Sequence, residues 1–310
     1  AQMSSIAYAS LDHVIDNCYA VGKSPLILIL DQITDVRNFG AICRSAECNG
    51  FHAVVIQEKG AAQVNEDAVK TSAGAVFNVP ICKVEHIKDA APILGNYFDV
   101  LGVRSFPGLV DKEKDYQETV ISGFLKYATV PIVNMESAVR HPLQSLADAI
   151  TMEEFKTKHK PKVVLSWAPH PKALPQAVAN SFVEMMQMQK DMDFVITHPE
   201  GYELSPEITK DCKIEYDQNK AFENADFVYV KNWSNFNDYG KVTNSDPNWT
   251  VTAEKMALTN NGKFMHCLPV RRNVIVSDEV LDGENSIVIE QANNRTYSAQ
   301  LVLQKILKKI

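Results

Sequence analysis

Cysteine is scarce and scattered in this chain: Cys18, Cys43, Cys48, Cys82, Cys212 and Cys267 form no C-x-x-C pair and no zinc-like cluster with histidine. That pattern excludes a disulfide scaffold and a zinc module, and leaves reduced thiols and no metal site as the expectation. Long apolar runs are lacking too. No stretch approaches the roughly 18 unbroken apolar residues of a membrane span, and the first residues lack the basic-then-apolar plan of a signal peptide. The sequence therefore reads as cytoplasmic, with no membrane partner. Positive charge is in deficit, 31 Lys and Arg against 38 Asp and Glu, for a net charge of −7. A general polyanion binder is not expected, although a local basic pocket can still receive one phosphate. Internal repeats and low-complexity segments are absent as well.

What is present is an ordinary globular mixture, 45 % hydrophobic and 22 % charged, over a length of 310 residues that suits two α/β domains. Leu26 to Leu30, Ala41 to Cys48 and Ala53 to Ile56 read as strand, helix, strand. A second cycle runs from a strand at Phe98 to Val103 through a helical stretch near Tyr116 to Tyr127 into a strand at Val130 to Asn134. Gln144 to Thr157 reads as a long amphipathic helix that bridges two domains. Strands then follow at Val163 to Ser166, Asp193 to Thr197, Phe227 to Val230 and Phe264 to His266. The tail from Ser298 to Ile310 places Leu301, Val302, Ile306 and Ile310 at helical spacing, with Lys308 and Lys309 where cations suit the helix dipole.

Two segments carry chemistry. One is Met135-Glu136-Ser137-Ala138-Val139-Arg140-His141-Pro142-Leu143-Gln144, a His-Pro-x-Gln run after a strand; the other is Phe264-Met265-His266-Cys267-Leu268-Pro269-Val270-Arg271-Arg272-Asn273. The bland readings are a capped helix start and a proline-stopped turn with Cys267 as a small buried residue. Together they resemble the carbamoyl phosphate grip and the amino-acid-binding turn of the carbamoyltransferases. By that resemblance His141, Arg104 and Cys267 are the catalytic residues. Carbamoyl phosphate is held by Arg37, Arg104, His141, Gln144, Cys267, Leu268 and Arg295, with no metal and no organic cofactor. The physical logic is that a carbamoyl carbonyl gains negative charge as an amine attacks it, so donors aimed at its oxygen favour the transition state over the ground state. The implied fold is two doubly wound parallel-sheet domains: residues 1–145 for carbamoyl phosphate, 146–290 for the amino acid, and a helix at 291–310 packing back on the first domain.

Within the family, Trp167-Ala168-Pro169-His170-Pro171 followed by Leu174-Pro175-Gln176-Ala177-Val178 resembles the proline-rich loop of the N-acetylornithine and N-succinylornithine enzymes. His198-Pro199-Glu200-Gly201-Tyr202 fits the same subgroup. The resemblance, which runs from about residue 91 to 310, implies a knotted backbone in the second domain and a trimer. It also implies that Glu136, Asn180, Lys231 and Arg271 hold an N-acylated ornithine.

The N-terminal third departs from that family. Its Ser-x-Arg-Thr-Arg phosphate loop is missing, and in its place runs Asp31-Gln32-Ile33-Thr34-Asp35-Val36-Arg37-Asn38-Phe39-Gly40-Ala41-Ile42-Cys43-Arg44. This run, with Val69-Lys70-Thr71-Ser72-Ala73-Gly74-Ala75, resembles the SpoU, or TrmH-like, RNA ribose methyltransferases over about residues 4–89. There Asn38 and Arg44 would sit at the active site. The later S-adenosylmethionine motifs of those enzymes do not follow. Aligned on Asn49-Gly50, Arg37 keeps one guanidinium of the phosphate loop, while Asp35, Asn38 and Phe39 replace its serine, threonine and second arginine. The leading expectation is an N-succinyl- or N-acetylornithine carbamoyltransferase with weakened carbamoyl phosphate binding. The alternatives are an RNA 2′-O-methyltransferase, with RNA as partner, and a catalytically inert composite chain.

Overall fold

The computed structural model describes residues 7–30, 33–86 and 90–308. Asp31 and Gln32 of the SpoU-like run, and the last two residues of the tail, lie outside the described residues. The chain forms two compact units, residues 1–108 with 119–133, and residues 109–118 with 134–310.

In the first unit, α1 (Leu11–Ala20), β1 (Ile27–Leu30), α2 (Val36–Cys48), β2 (Ala53–Gln57), α3 (Glu66–Thr71) and β3 (Ile81–Val84) build a three-stranded parallel sheet, ordered β1-β2-β3. Alternate residues of β2 enter different cores. Val54 and Ile56 pack with Phe39, Cys43 and Ala46 of α2, whereas Ala53 and Val55 pack with Val14 and Cys18 of α1. Helix α2 starts five residues before the expected Ala41, because the Asp35 carboxylate accepts the Asn38 N–H at 2.7 Å and caps it. The chain continues through α4 (Ala90–Gly95) and β4 (Leu101–Arg104). Residues 116–127 do not form one helix: Glu118, at φ +45°, separates α5 (Lys112–Tyr116) of the second unit from α6 (Thr119–Tyr127) of the first.

Gly40 explains why two of the SpoU-like stretches occur together. A Cβ at Gly40 would stand 2.0 Å from Thr71 Oγ1 and 2.8 Å from the Ala68 carbonyl oxygen, so α2 packs on α3 at backbone contact. Gly40→Ala is expected to destabilise this unit by about 1–3 kcal/mol, measured by denaturant unfolding; an unchanged midpoint would show that the helices separate freely.

β5 (Ile132–Glu136) leads into the second unit. There α7 (Pro142–Phe155), β6 (Lys162–Trp167), α8 (Ala177–Met188), β7 (Asp193–Thr197), β8 (Lys213–Glu215), α9 (Gln218–Phe222), β9 (Phe227–Lys231), α10 (Ala253–Met256), β10 (Lys263–Met265), α11 (Asp278–Leu281) and α12 (Val288–Leu307) follow. The sheet is five-stranded and parallel, ordered β10-β9-β6-β7-β8. Both faces are covered. Val163, Leu165, Trp167, Tyr229 and Met265 enter one apolar core, while Val164, Val228, Val230 and Phe264 enter the other. Strand order reverses between β6 and β9, so the carboxyl ends of these strands open a crevice where α/β sheets bind ligands. α12 begins ten residues before the expected Ser298 and packs on α7 through buried polar pairs, Gln291 to Asp148 and Asn294 to Thr151. No helix among the described residues is long and apolar enough to cross a membrane.

Candidate active site

The crevice of the second unit is built from three strand ends and two helices. β6 delivers Trp167 and the loop behind it, β9 delivers Lys231, and β10 delivers the turn from His266 to Arg272. The loops are tied to each other. Asn232 Nδ2 donates to the Ala168 carbonyl at 2.7 Å, Gln176 Nε2 to the Ser234 carbonyl at 2.7 Å, and the Ser234 N–H to the Leu174 carbonyl at 2.9 Å. Trp167 Nε1 donates to the Trp233 carbonyl, and Trp233 Nε1 to the Tyr202 carbonyl, which buries both indoles with their donors satisfied.

His141 occupies the position just before α7, with Pro142 as the first helical residue. Its N–H donates to Ser181 Oγ at 2.8 Å, and its Nε2 stands 3.6 Å from Glu136 Oε2. Both side chains are buried. One turn on, Gln144 Nε2 donates to Asp148 Oδ1 at 2.8 Å. The same oxygen receives Gln291 Nε2 at 2.6 Å, and Gln291 Oε1 accepts the His266 N–H at 2.9 Å. Hydrogen bonds therefore run without a break from Gln144 to the His-Cys-Leu-Pro turn. Burial raises the Asp148 carboxyl to about 7 against the donors Gln291 and Gln144, and the fully buried Tyr229 hydroxyl faces Asp148 and Cys267.

The turn itself is bent. Leu268 has φ +49°, a left-handed conformation a branched side chain rarely adopts, and the Leu268–Pro269 peptide is cis. The Leu268 N–H donates to His266 Nδ1 at 2.9 Å, so the buried neutral imidazole carries its proton on Nε2. Burial holds His266 well below the usual histidine range, and Lys231 and His170 add to the effect. Arg272 is drawn away by Asp278 at 2.8 Å and Asp282 at 2.7 Å, which raises its guanidinium and leaves the neighbouring Arg271 exposed beside the crevice. His170 is lowered by burial and by Arg271, Lys231 and Lys172, so these groups share one electropositive patch.

Residues 175–306 match the family model described as the Asp/Orn binding domain of aspartate/ornithine carbamoyltransferase, and residues 25–123 match that of the SpoU rRNA methylase family. N-succinylornithine carbamoyltransferase of Bacteroides thetaiotaomicron is 54 % identical over 73 % of this chain and 71 % of its own length. N-succinylornithine carbamoyltransferase of Bacteroides fragilis is 45 % identical over 94 % of this chain and 90 % of its own. The chain belongs to the N-acylornithine carbamoyltransferases and carries a SpoU-like segment. A solved acetylornithine transcarbamylase complexed with acetylcitrulline matches 97 % of this chain and 99 % of its own, at 30 % identity and a TM-score of 0.71. The likeness thus extends beyond residues 91–310, into the third whose motif is SpoU-like.

The second unit holds Glu136, His141, Gln144, Asn180, Lys231, Cys267, Leu268, Arg271 and Arg295; the first holds Arg37, Asn38, Arg44 and Arg104. Asn180 is fully buried on α8, where its Nδ2 donates to the Val139 carbonyl at 3.2 Å and holds the chain just ahead of His141. Arg295 is exposed on α12 and close enough to Asp148 to favour its ionised form. Arg104, on the exposed side of β4, lies over the Phe106 ring at 4.5 Å. Arg37, Asn38 and Arg44 are exposed on α2, whereas Phe39 is fully buried and serves the core.

Asp148, Gln291 and Tyr229 were not among the residues the sequence pointed to, and His170 stood there only as part of the proline-rich loop. A signal for Asp148 does exist: a carboxylate four residues after Gln144, on the same helix face, with apolar residues around it. Among the described residues no group of three or more His, Cys, Asp or Glu side chains is placed to hold a metal. A cavity of about 510 Å³ beside Met256, Phe264 and Glu279 is lined by none of the candidate residues.

Proposed function

We propose that this chain transfers the carbamoyl group of carbamoyl phosphate to an N-acylornithine, N-succinylornithine foremost, giving the N-acylcitrulline and phosphate in arginine biosynthesis. The observation that carries this reading is the convergence in the second unit of His141, Gln144, the Cys267–Leu268 turn and the cations Lys231 and Arg271. In this reading His141 donates to the carbamoyl oxygen as the acceptor's δ-amine attacks the carbon. The carbonyl oxygens of Cys267 and Leu268, to which no donor is paired among the described residues, receive the amine N–H groups. The carbon–oxygen bond to phosphate then breaks, and the phosphate leaves with the electron pair and takes up the proton the amine loses. Gln144 and Arg295 complete the grip on carbamoyl phosphate. Glu136, Asn180, Lys231 and Arg271 hold the acceptor, and the patch of Lys231, Arg271 and His170 suits the extra carboxylate of a succinyl group better than an acetyl group.

The phosphate half is weaker. Of the arginines in the family's phosphate loop only Arg37 remains, and the α2 N-terminus is already capped by the Asp35 carboxylate, which repels an anion there. Asp35→Ser keeps a capping residue and removes the charge. It is expected to tighten binding of phosphonoacetamide about 2- to 5-fold in calorimetric titration; equal or weaker binding would place the anion elsewhere.

A colorimetric assay for the ureido product with each acylornithine tests the main reading. No product above blank from folded protein would leave an inert composite. The SpoU match over residues 25–123 supports one other reading, an RNA 2′-O-methyltransferase using Asn38 and Arg44. Heat released on titrating S-adenosylmethionine would favour it. The same family reading carries a trimer, a cytoplasmic location and a knot.

A further inference from the structure

The buried carboxyl of Asp148 has no part in the chemistry just described, yet it lies at the centre of the hydrogen bonds behind the crevice. Asp148 and Gln291 are fully buried and Gln144 is 2 % exposed, so water does not compete for these contacts. A glutamine amide has two unlike ends, one a donor and the other an acceptor. Asp148 Oδ1 accepts from both Gln144 and Gln291, so any proton on this carboxyl is carried by Oδ2. Oδ1 therefore fixes Gln144 with Nε2 inward at 2.8 Å and leaves Oε1 as the end that meets a ligand. A carbamoyl NH₂ is a donor and matches that oxygen. A reversed amide would oppose two donors.

Resting on the carbamoyl phosphate reading above, we propose that Asp148 is the positioning residue that orients the Gln144 amide, and so makes the site read the NH₂ of its donor substrate. The same carboxyl oxygen holds Gln291, whose Oε1 accepts the His266 N–H, so one acceptor sets both the α7 side of the crevice and the backbone of the turn opposite. Selection of an NH₂ over a CH₃ at the donor is the property this arrangement confers.

Two stable probes separate that property from anion binding: phosphonoacetamide, which has the NH₂, and 2-oxopropylphosphonate, which has a CH₃ in its place. In calorimetric titrations the wild type is expected to prefer the amide about tenfold, the worth of one hydrogen bond to a buried acceptor. Asp148→Ala is expected to bring that ratio down to about twofold or less while the affinity for 2-oxopropylphosphonate stays within about twofold. Asp148→Asn, whose Oδ1 still accepts both amide donors, should restore the preference. Asp148→Val replaces the alanine variant if circular dichroism shows the latter unfolded. Binding of neither probe to the wild type would overturn the carbamoyl phosphate reading and this assignment with it. Equal binding of both probes to the wild type, or a preference that persists in Asp148→Ala or Asp148→Val, would overturn the assignment alone.

Discussion

His141→Ala is expected to lower kcat for carbamoyl transfer to N-succinylornithine about 10²- to 10³-fold, the usual effect of removing one donor aimed at a developing oxyanion. The backbone anchors that hold this position survive the change. The residue 141 N–H still reaches Ser181 Oγ, Pro142 still opens α7, and Asn180 still holds the Val139 carbonyl. What disappears is the ring beside Glu136 and whatever it donates to the substrate. The KM for the acylornithine should stay within about threefold, because a donor used mainly in the transition state contributes little to ground-state binding of the other substrate. Steady-state kinetics decide the matter: a fall in kcat of less than about tenfold would remove His141 from the role of principal donor.

The second large effect is on stability and has a definite sign in pH. Burial raises Asp148 from 3.8 to about 7, so the folded state binds a proton that the unfolded state has already released between these values. The Asp148 contribution to stability is therefore lost as pH rises from about 4 to about 7 and is flat above, whereas Asp148→Asn lacks that contribution. The variant should gain on the wild type by an amount on the order of 4 kcal/mol across that window. His198 and His266, which burial holds below the usual histidine range, act in the opposite direction. They resist protonation in the folded state, so their contribution is lost as pH falls below about 6.5, the unfolded value. Because both histidines are common to the two proteins, the difference between wild type and variant isolates Asp148. Denaturant unfolding of the pair at pH 4 to 8 measures it, and a constant difference would mean that the carboxyl keeps its ordinary acidity in the folded state.

Much of the fold was legible because the signals were local. β6, β7, β9 and β10 are short runs of apolar residues buried on both faces, and such runs are visible in sequence without knowledge of their neighbours. The early start of α2 was less legible, since a polar stretch such as Val36-Arg37-Asn38 has no apolar period. Its cap, Asp35, was the signal that mattered. The break at Glu118 had no signal, because a glutamate at φ +45° is imposed by its surroundings. Strands β3 and β8 gave less signal because charged residues break their short apolar runs, Lys83 in the first and Lys213 and Glu215 in the second.

By itself the sequence determined the motifs that name the family: a His-Pro-x-Gln helix start, a His-Cys-Leu-Pro turn closed by two arginines, and a phosphate loop replaced by a SpoU-like run. Side-chain types and their spacing are covalent facts, and they name a family whatever the chain does next. Only the tertiary structure decided which of the two arginines after that turn is engaged. Asp278 and Asp282 claim Arg272 and leave Arg271 exposed. It alone showed that Phe39, standing where the family has a phosphate-binding arginine, is a core residue. It also joined Gln144, on α7, to His266, after β10, through Asp148 and Gln291. The reason is physical. A hydrogen bond between residues 143 positions apart depends on how the helices pack, and that packing is settled by the apolar cores on either side of the sheet.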